Sequence, residues 1–294
     1  MIRPKNFGSN PETITNNAFQ NSIEDESMRD VQSKVEQEFD LVVRTLNAHD
    51  LKVIVFEDRN DPICPDAIFP NNWISFHEGK YLITYPMHAP SRRLERRDDI
   101  IEHFEKELGF GKRYTFEYLE EDGQYCEGTG SIVLDQEHKI MYACLSERTD
   151  IRVLDKFAVV MGYRKICFHA EYAGQSIYHT NVMMSMGDDY VVICLDSISD
   201  ETEKNELLSS FRNTDKTVID ISIEQMAGFC GNILQLRTQL GEPILIMSDS
   251  AYGLFDAKQL DELGSKNKII SIPIPTIEKY AGGGVRCMLA EVHF

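Results

Sequence analysis

Between residues 73 and 274 one short pattern recurs four times: strand, tight turn, strand, helix, strand. The first copy runs WISF, HEGK, YLITYP, a helix from about Arg92 to Leu108, then YTFEYL. The second runs SIVLD, QEHK, IMYACL, a helix from about Thr149 to Met161, then KICFHA. The third runs VMMSM, GDD, YVVICL, a helix from about Glu201 to Phe211, then TVIDIS. The fourth runs ILQLR, TQLGE, PILIMS, a helix around Asp256 to Leu263, then KIISIPI. A period of this length exceeds those of the common solenoids. A fifth copy reads as split between the chain ends. The C-terminal MLAEVHF supplies its first strand, and segments 27–48 and 52–56 supply its helix and last strand. Val31, Val35, Phe39, Val42 and Leu46 recur there at helical spacing. Joining the ends in this way would remove open sheet edges. The expected fold class is thus α/β, a pseudo-fivefold ring of ββαβ units; an ordinary α+β sheet without symmetry is the plain alternative. With no linker or composition break, residues 1–294 read as a single domain.

The ring expectation bears on chemistry, because equivalent positions in such a ring converge near one axis. Just ahead of the first strand of successive units lie Asn72, Glu127, His179, Asn232 and Cys287. A thiol, an imidazole and a carboxylate facing one cavity make the general recipe for an activated cysteine. Each has a bland counterpart: a packed cysteine after a hairpin, a satisfied core histidine, a turn carboxylate. Cys287 stands out from the other six cysteines because it follows Gly282, Gly283 and Gly284, where backbone can turn sharply or approach a ligand.

Composition narrows the alternatives. A formal net charge of -18 speaks against nucleic acid, whose readers carry a basic face. Acids flank the one basic group, Arg92, Arg93, Arg96 and Arg97. No apolar run is long enough to cross a bilayer, and the start of the chain lacks the apolar core of a signal peptide. The scattered cysteines fit reduced thiols and a cytoplasmic home. Histidines and cysteines form no HxxxH, HxH or CxxC spacing, so no metal is expected. The glycine run is no phosphate-binding loop, and no GxSxG elbow marks a serine hydrolase.

Seven ordered motifs carry a resemblance: IFPNNW (68–73), MHAPSRRLERR (87–97), EGTGSIVLD (127–135), LSERTD (145–150), YHTNVMMSMGD (178–188), FCGNILQL (229–236) and GGGVRCMLAE (282–291). The chain resembles the guanidino-group modifying superfamily, the penteins, over roughly 66–294. With its opening NPETITNNAFQ, it looks most like the arginine-deiminase-related or citrulline-utilising hydrolases and the dimethylarginine hydrolases. The resemblance implies a five-bladed α/β propeller and a cofactor-free hydrolase of C–N bonds in ureido or guanidino groups. By position it implies Cys287 as nucleophile, His179 as general acid and base, and Glu127 as the acid that orients them. It implies that Arg148 and Arg92 or Arg93 hold the substrate's α-carboxylate, a task suited to an arginine fork. The ligand would be a small amino acid; a homo-oligomer is left open.

Two positions depart from the arginine-using pattern. Asn72 and Asn181 stand where those members of the superfamily have aspartates. Amides suit a neutral ureido group, as in citrulline, better than a cationic guanidinium, unless Asp66 restores the charge. An amidinotransferase using the same cysteine, and a propeller that binds without catalysis, remain the alternative classes.

Overall fold

The computed structural model describes residues 1–23 and 26–293. Among them, four three-stranded sheets share one topology, an antiparallel pair followed by a parallel third strand. The first joins Ile74–His77, Tyr81–Thr84 and Lys112–Thr115. The second joins Val133–Asp135, Ile140–Cys144 and Arg164–Phe168. The third joins Met184–Met186, Tyr190–Ile193 and Thr217–Asp220. The fourth joins Leu234–Arg237, Pro243–Ser248 and Lys268–Ile272. Parallel neighbours cannot be linked by a tight turn. In each unit the required crossover carries a helix: Asp98–Glu107, Ile151–Met161, Glu201–Asn213 or Ala257–Lys266. Central strands such as Tyr190–Ile193 are fully buried and read as unbroken apolar runs, as strands covered on both faces must.

The N-terminal region repeats part of this plan. Ile2–Arg3 pairs in parallel with Phe56–Glu57, and the helix Met28–Ala48 connects them. That helix buries the five residues expected from its periodicity, and the Ser27 side chain caps it by accepting from the Asp30 N–H. The expected strand at 52–56 shrinks to Phe56–Glu57 because its recorded partner is itself only two residues long. The C-terminal MLAEVHF forms no strand over its described residues: Met288 ends a 3-10 turn, and 289–293 run without ladder pairing. Phe294 lies outside the described residues. Ala290 and Val292 nonetheless pack against the core cluster that holds Ile2 and Trp73.

The helix expected from Arg92 to Leu108 breaks into Pro90–Arg93 and Asp98–Glu107. The break coincides with a buried ion pair: Glu95 turns inward onto Arg92. YTFEYL also divides, with the strand ending at Thr115 and a 3-10 helix over Glu117–Asp122.

What positions the site is a set of single turns: Pro70–Asn72, Gly128–Ser131 and Thr180–Met183 ahead of first strands, and Val285–Met288 ahead of the unpaired 289–293. They pack on one another, 128–131 against both 70–72 and 180–183, and 285–288 against 70–72. Gly128 makes the closest approach. It has φ +50°, and a Cβ there would fall 2.3 Å from the Asn71 carbonyl oxygen. Gly128→Ala should therefore lower the unfolding free energy by about 1–3 kcal/mol or more, measured by denaturant titration; a change under about 0.5 kcal/mol would show that the turns are not so tightly apposed.

Candidate active site

Glu127 and His179 each occupy the N-cap position of a single turn, and Cys287 lies within another. The packing of those turns brings the three residues together from distant parts of the chain. His179 Nε2 is 2.8 Å from Glu127 Oε2. Glu127 Oε1 accepts from the His88 backbone N–H at 3.1 Å. Arg92 and Arg148 approach Glu127 Oε2 at 3.5 and 3.6 Å. Cys287 Sγ accepts from the amides of Asn232 at 3.2 Å and Asn181 at 3.6 Å. Asn232 is held in turn by donating to the Asn181 carbonyl at 2.8 Å.

Cys287 and His179 line one cavity, with Asp66, Asn72, Arg92, Arg148, Tyr178, Gly282 and Gly283 among its other walls. It encloses about 20 Å³, room for about one water molecule. A larger cavity of about 1030 Å³ reaches Asn181 but includes none of Cys287, His179 and Glu127. Of the two, only the small cavity is lined by Cys287 and His179. The glycines earlier in the chain matter here as much as the GGG run. At Gly130 a Cβ would lie 2.6 Å from Asn72 Nδ2 and 2.7 Å from His179 Nδ1, so only a bare backbone lets these two groups sit side by side.

Of the remaining expected residues, Asn72 accepts from Arg92 Nη1 at 2.8 Å. Asp66 shares the cavity, but its Oδ2 already accepts from Asn10 at 2.8 Å and lies 3.7 Å from Arg92 Nε. Arg148 donates to the Thr13 carbonyl and to Asn16, and its guanidinium lies 4.7 Å from the centre of the Tyr178 ring. Its buried Nε has no hydrogen-bond partner among the described residues. Arg93 is set apart, donating to the Met87 and His88 carbonyls near Glu120.

Four residues were not singled out individually in the sequence. Glu95 clamps Arg92 through two bonds of 2.9 and 3.0 Å; its signal is the i,i+3 spacing of opposite charges in SRRLERR. Thr13 and Asn17 wall the cavity from the N-terminal segment. Phe19, further along that segment, stacks on Tyr172 at 5.1 Å. None of these three has a local signature beyond the opening motif.

Electrostatics set the resting protonation. Burial works to raise the Glu127 carboxyl, but Arg148, the His179 hydrogen bond and Arg92 outweigh it and hold the group ionised. Burial pushes His179 down to about 4 despite Glu127, so the imidazole rests neutral and Nε2–H donates. Nδ1 is then the nitrogen left to exchange a proton. Burial also pushes the Cys287 thiol up, against the Asn232 hydrogen bond and the Arg286 charge. The resting pair is a thiol and a neutral imidazole. Such a set suits covalent catalysis at an electrophilic carbon. Among the described residues no group of three or more His, Cys, Asp or Glu could hold a metal ion, and none of the seven cysteines is bonded to another. No described helix is long and apolar enough to cross a membrane.

The His179 shift has a measurable sign. The unfolded chain binds a proton near 6.5 and the folded one only near 4, so stability should fall as pH drops through this window. His179→Gln should flatten that part of the unfolding free energy profile; an unchanged slope would show that His179 is already protonated in the folded protein.

The model of the eukaryotic N,N-dimethylarginine dimethylhydrolase family matches residues 3–294. No curated protein matches the chain. Among solved structures, ArgZ, an arginine dihydrolase from the ornithine-ammonia cycle in cyanobacteria, is 15% identical, with a TM-score of 0.76 over 98% of this chain. The chain spans 39% of that protein's length. It spans 95% of the ArgZ N-terminal domain bound to substrate, again at 15% identity, with a TM-score of 0.75 over 98% of this chain. A dimethylarginine dimethylaminohydrolase in adduct with S-methyl-L-thiocitrulline is 16% identical, with a TM-score of 0.67 over 98% of this chain and 96% of that one. These likenesses establish a shared fold. The chain belongs to the N,N-dimethylarginine dimethylhydrolase family, within the guanidino-group modifying superfamily.

Proposed function

We propose that this family member is a cysteine hydrolase that cleaves a C–N bond in the ureido or guanidino group of an arginine-related amino acid, with citrulline favoured. One observation carries the reading: Cys287 and His179 wall a single cavity, and Glu127 holds the far nitrogen of that imidazole.

In the reaction, Cys287 Sγ attacks the planar carbon while its proton passes to His179 Nδ1. The C–N bond breaks, the departing amine takes the proton from His179, and the carbon stays on sulfur. A water molecule then gives its proton to His179 and displaces the sulfur, which regains a proton. For citrulline the products are an amine and a carbamate. Glu127 keeps the imidazole oriented through both steps. The Asn181 and Asn232 amides stabilise negative charge on the sulfur as it develops. Arg148, with its unpartnered Nε, holds the α-carboxylate, while Arg93 stands outside the cavity lining.

Amides at 72 and 181 favour the neutral ureido group. A hydrogen bond to a charged partner contributes about 1.5–3 kcal/mol against about 1 for a neutral one, so two missing carboxylates weaken the grip on a guanidinium. A methylated arginine is the second substrate, favoured by the family match over 3–294. We also read the fold as a five-unit ring whose last blade is built from Ile2–Arg3, Phe56–Glu57 and the unpaired 289–293 segment; the packing of Ala290 and Val292 beside Ile2 supports it. The unbonded thiols suit a reducing cytoplasm.

Citrulline, arginine, methylated arginines and agmatine, assayed with wild type and Cys287→Ala, test the reading. Citrulline should turn over without any acceptor amine, and the substitution should lower kcat by about 10³-fold or more. Turnover of arginine but not citrulline would contradict the substrate, and strict dependence on an amine acceptor would make the enzyme a transferase.

A further inference from the structure

Glu95 lies outside the cavity lining yet is as deeply buried as the residues within it. Its two carboxylate oxygens accept from Arg92 Nε at 2.9 Å and Nη2 at 3.0 Å. A two-point clamp on a planar guanidinium leaves one orientation. In that orientation Nη1 points at Asn72 Oδ1, 2.8 Å away.

A guanidinium only donates. Asn72 must therefore turn its oxygen toward Arg92 and its nitrogen elsewhere. A second bond agrees, since Asn72 Nδ2 donates to Asn71 Oδ1 at 3.2 Å. That nitrogen sits over the bare backbone of Gly130, beside His179 Nδ1. Without the clamp, only the 3.2 Å bond to Asn71 would hold the Asn72 amide in this orientation, because its two ends are nearly the same size.

We infer that Glu95 is a positioning residue that sets substrate preference: by fixing Arg92, it makes Asn72 offer a hydrogen-bond donor beside the imidazole. The inference rests on the reading of the site as a ureido or guanidino hydrolase. A ureido oxygen accepts from that donor. The terminal nitrogens of a guanidinium carry only N–H groups and find no acceptor there. Preference for a neutral group thus depends on a carboxylate that never touches it.

The test compares wild type, Glu95→Gln and Glu95→Asp at pH 8, above the value of about 7 to which burial pushes the Glu95 carboxyl. In Glu95→Gln one of the two acceptors becomes an amide donor. The kcat/KM for citrulline should fall about 10-fold or more, mostly in kcat, while that for arginine changes by less than about 2-fold, moving the citrulline-to-arginine ratio about 5-fold or more toward arginine. Glu95→Asp should restore part of the ratio. An equal loss for both substrates, in step with a lowered Tm, would reduce Glu95 to a structural ion pair and overturn the inference. Should wild type act on neither substrate, the functional reading fails by itself. A crystal structure of Glu95→Gln then decides the positioning role: a rotated Asn72 amide supports it, and Asn72 Oδ1 still bonded to Arg92 overturns it.

Discussion

A carboxylate with no exposed surface is the constraint on which this protein's site depends. Leaving Glu127 ionised in the interior would be prohibitive without compensation, because buried charge must be paired and hydrogen-bonded. The compensation comes from four groups on three separate stretches of chain: the His88 N–H and Arg92, Arg148, and His179. Each stretch is held by a different part of the fold, so satisfying one carboxylate also gathers the turns that carry the reacting groups. Removing one partner from a buried charge cluster typically costs about 3–5 kcal/mol. The charge network therefore couples stability to the geometry of the site.

The same network explains why the resting site is poised without being charged at the cysteine. The arginines neutralise Glu127 and also oppose a positive charge on His179, while burial disfavours both the imidazolium and the thiolate. A neutral thiol and imidazole follow. In the reaction we propose, activation comes with the electrophilic carbon, when proton transfer from sulfur to His179 accompanies attack; the Asn181 and Asn232 amides already contact the sulfur. A neutral donor beside the nucleophile fits an account in which the substrate itself is uncharged at the reacting end.

Much of this was legible in the sequence because it rests on local periodicity. The four repeated units and the buried face of Met28–Ala48 follow from apolar spacing alone. Glu127 and His179 stand, as the repeat suggested, just ahead of a unit's first strand, whereas the segment after Cys287 forms no strand over its described residues. Features set by tertiary pairing were not legible. The break at 94–97 coincides with the Glu95–Arg92 ion pair, which leaves no mark in hydrophobic pattern. The terminal MLAEVHF has the alternation of a strand, but its described residues find no ladder partner. Strand propensity without a partner edge does not make a strand. The role of the segment around Thr13 and Asn17 is likewise invisible locally, because its partners lie more than a hundred residues away, at Arg148 and Ala281.

The most direct test of the central claim is the mass of the protein after rapid acid quenching during citrulline turnover, with the modified peptide sequenced. A carbamoyl or alkylcarbamoyl group on Cys287, absent in Cys287→Ala and accumulating in a His179 variant, is the expected result. Steady turnover with an unmodified Cys287 at every quench time, in the His179 variant as in wild type, would contradict a covalent mechanism at this sulfur.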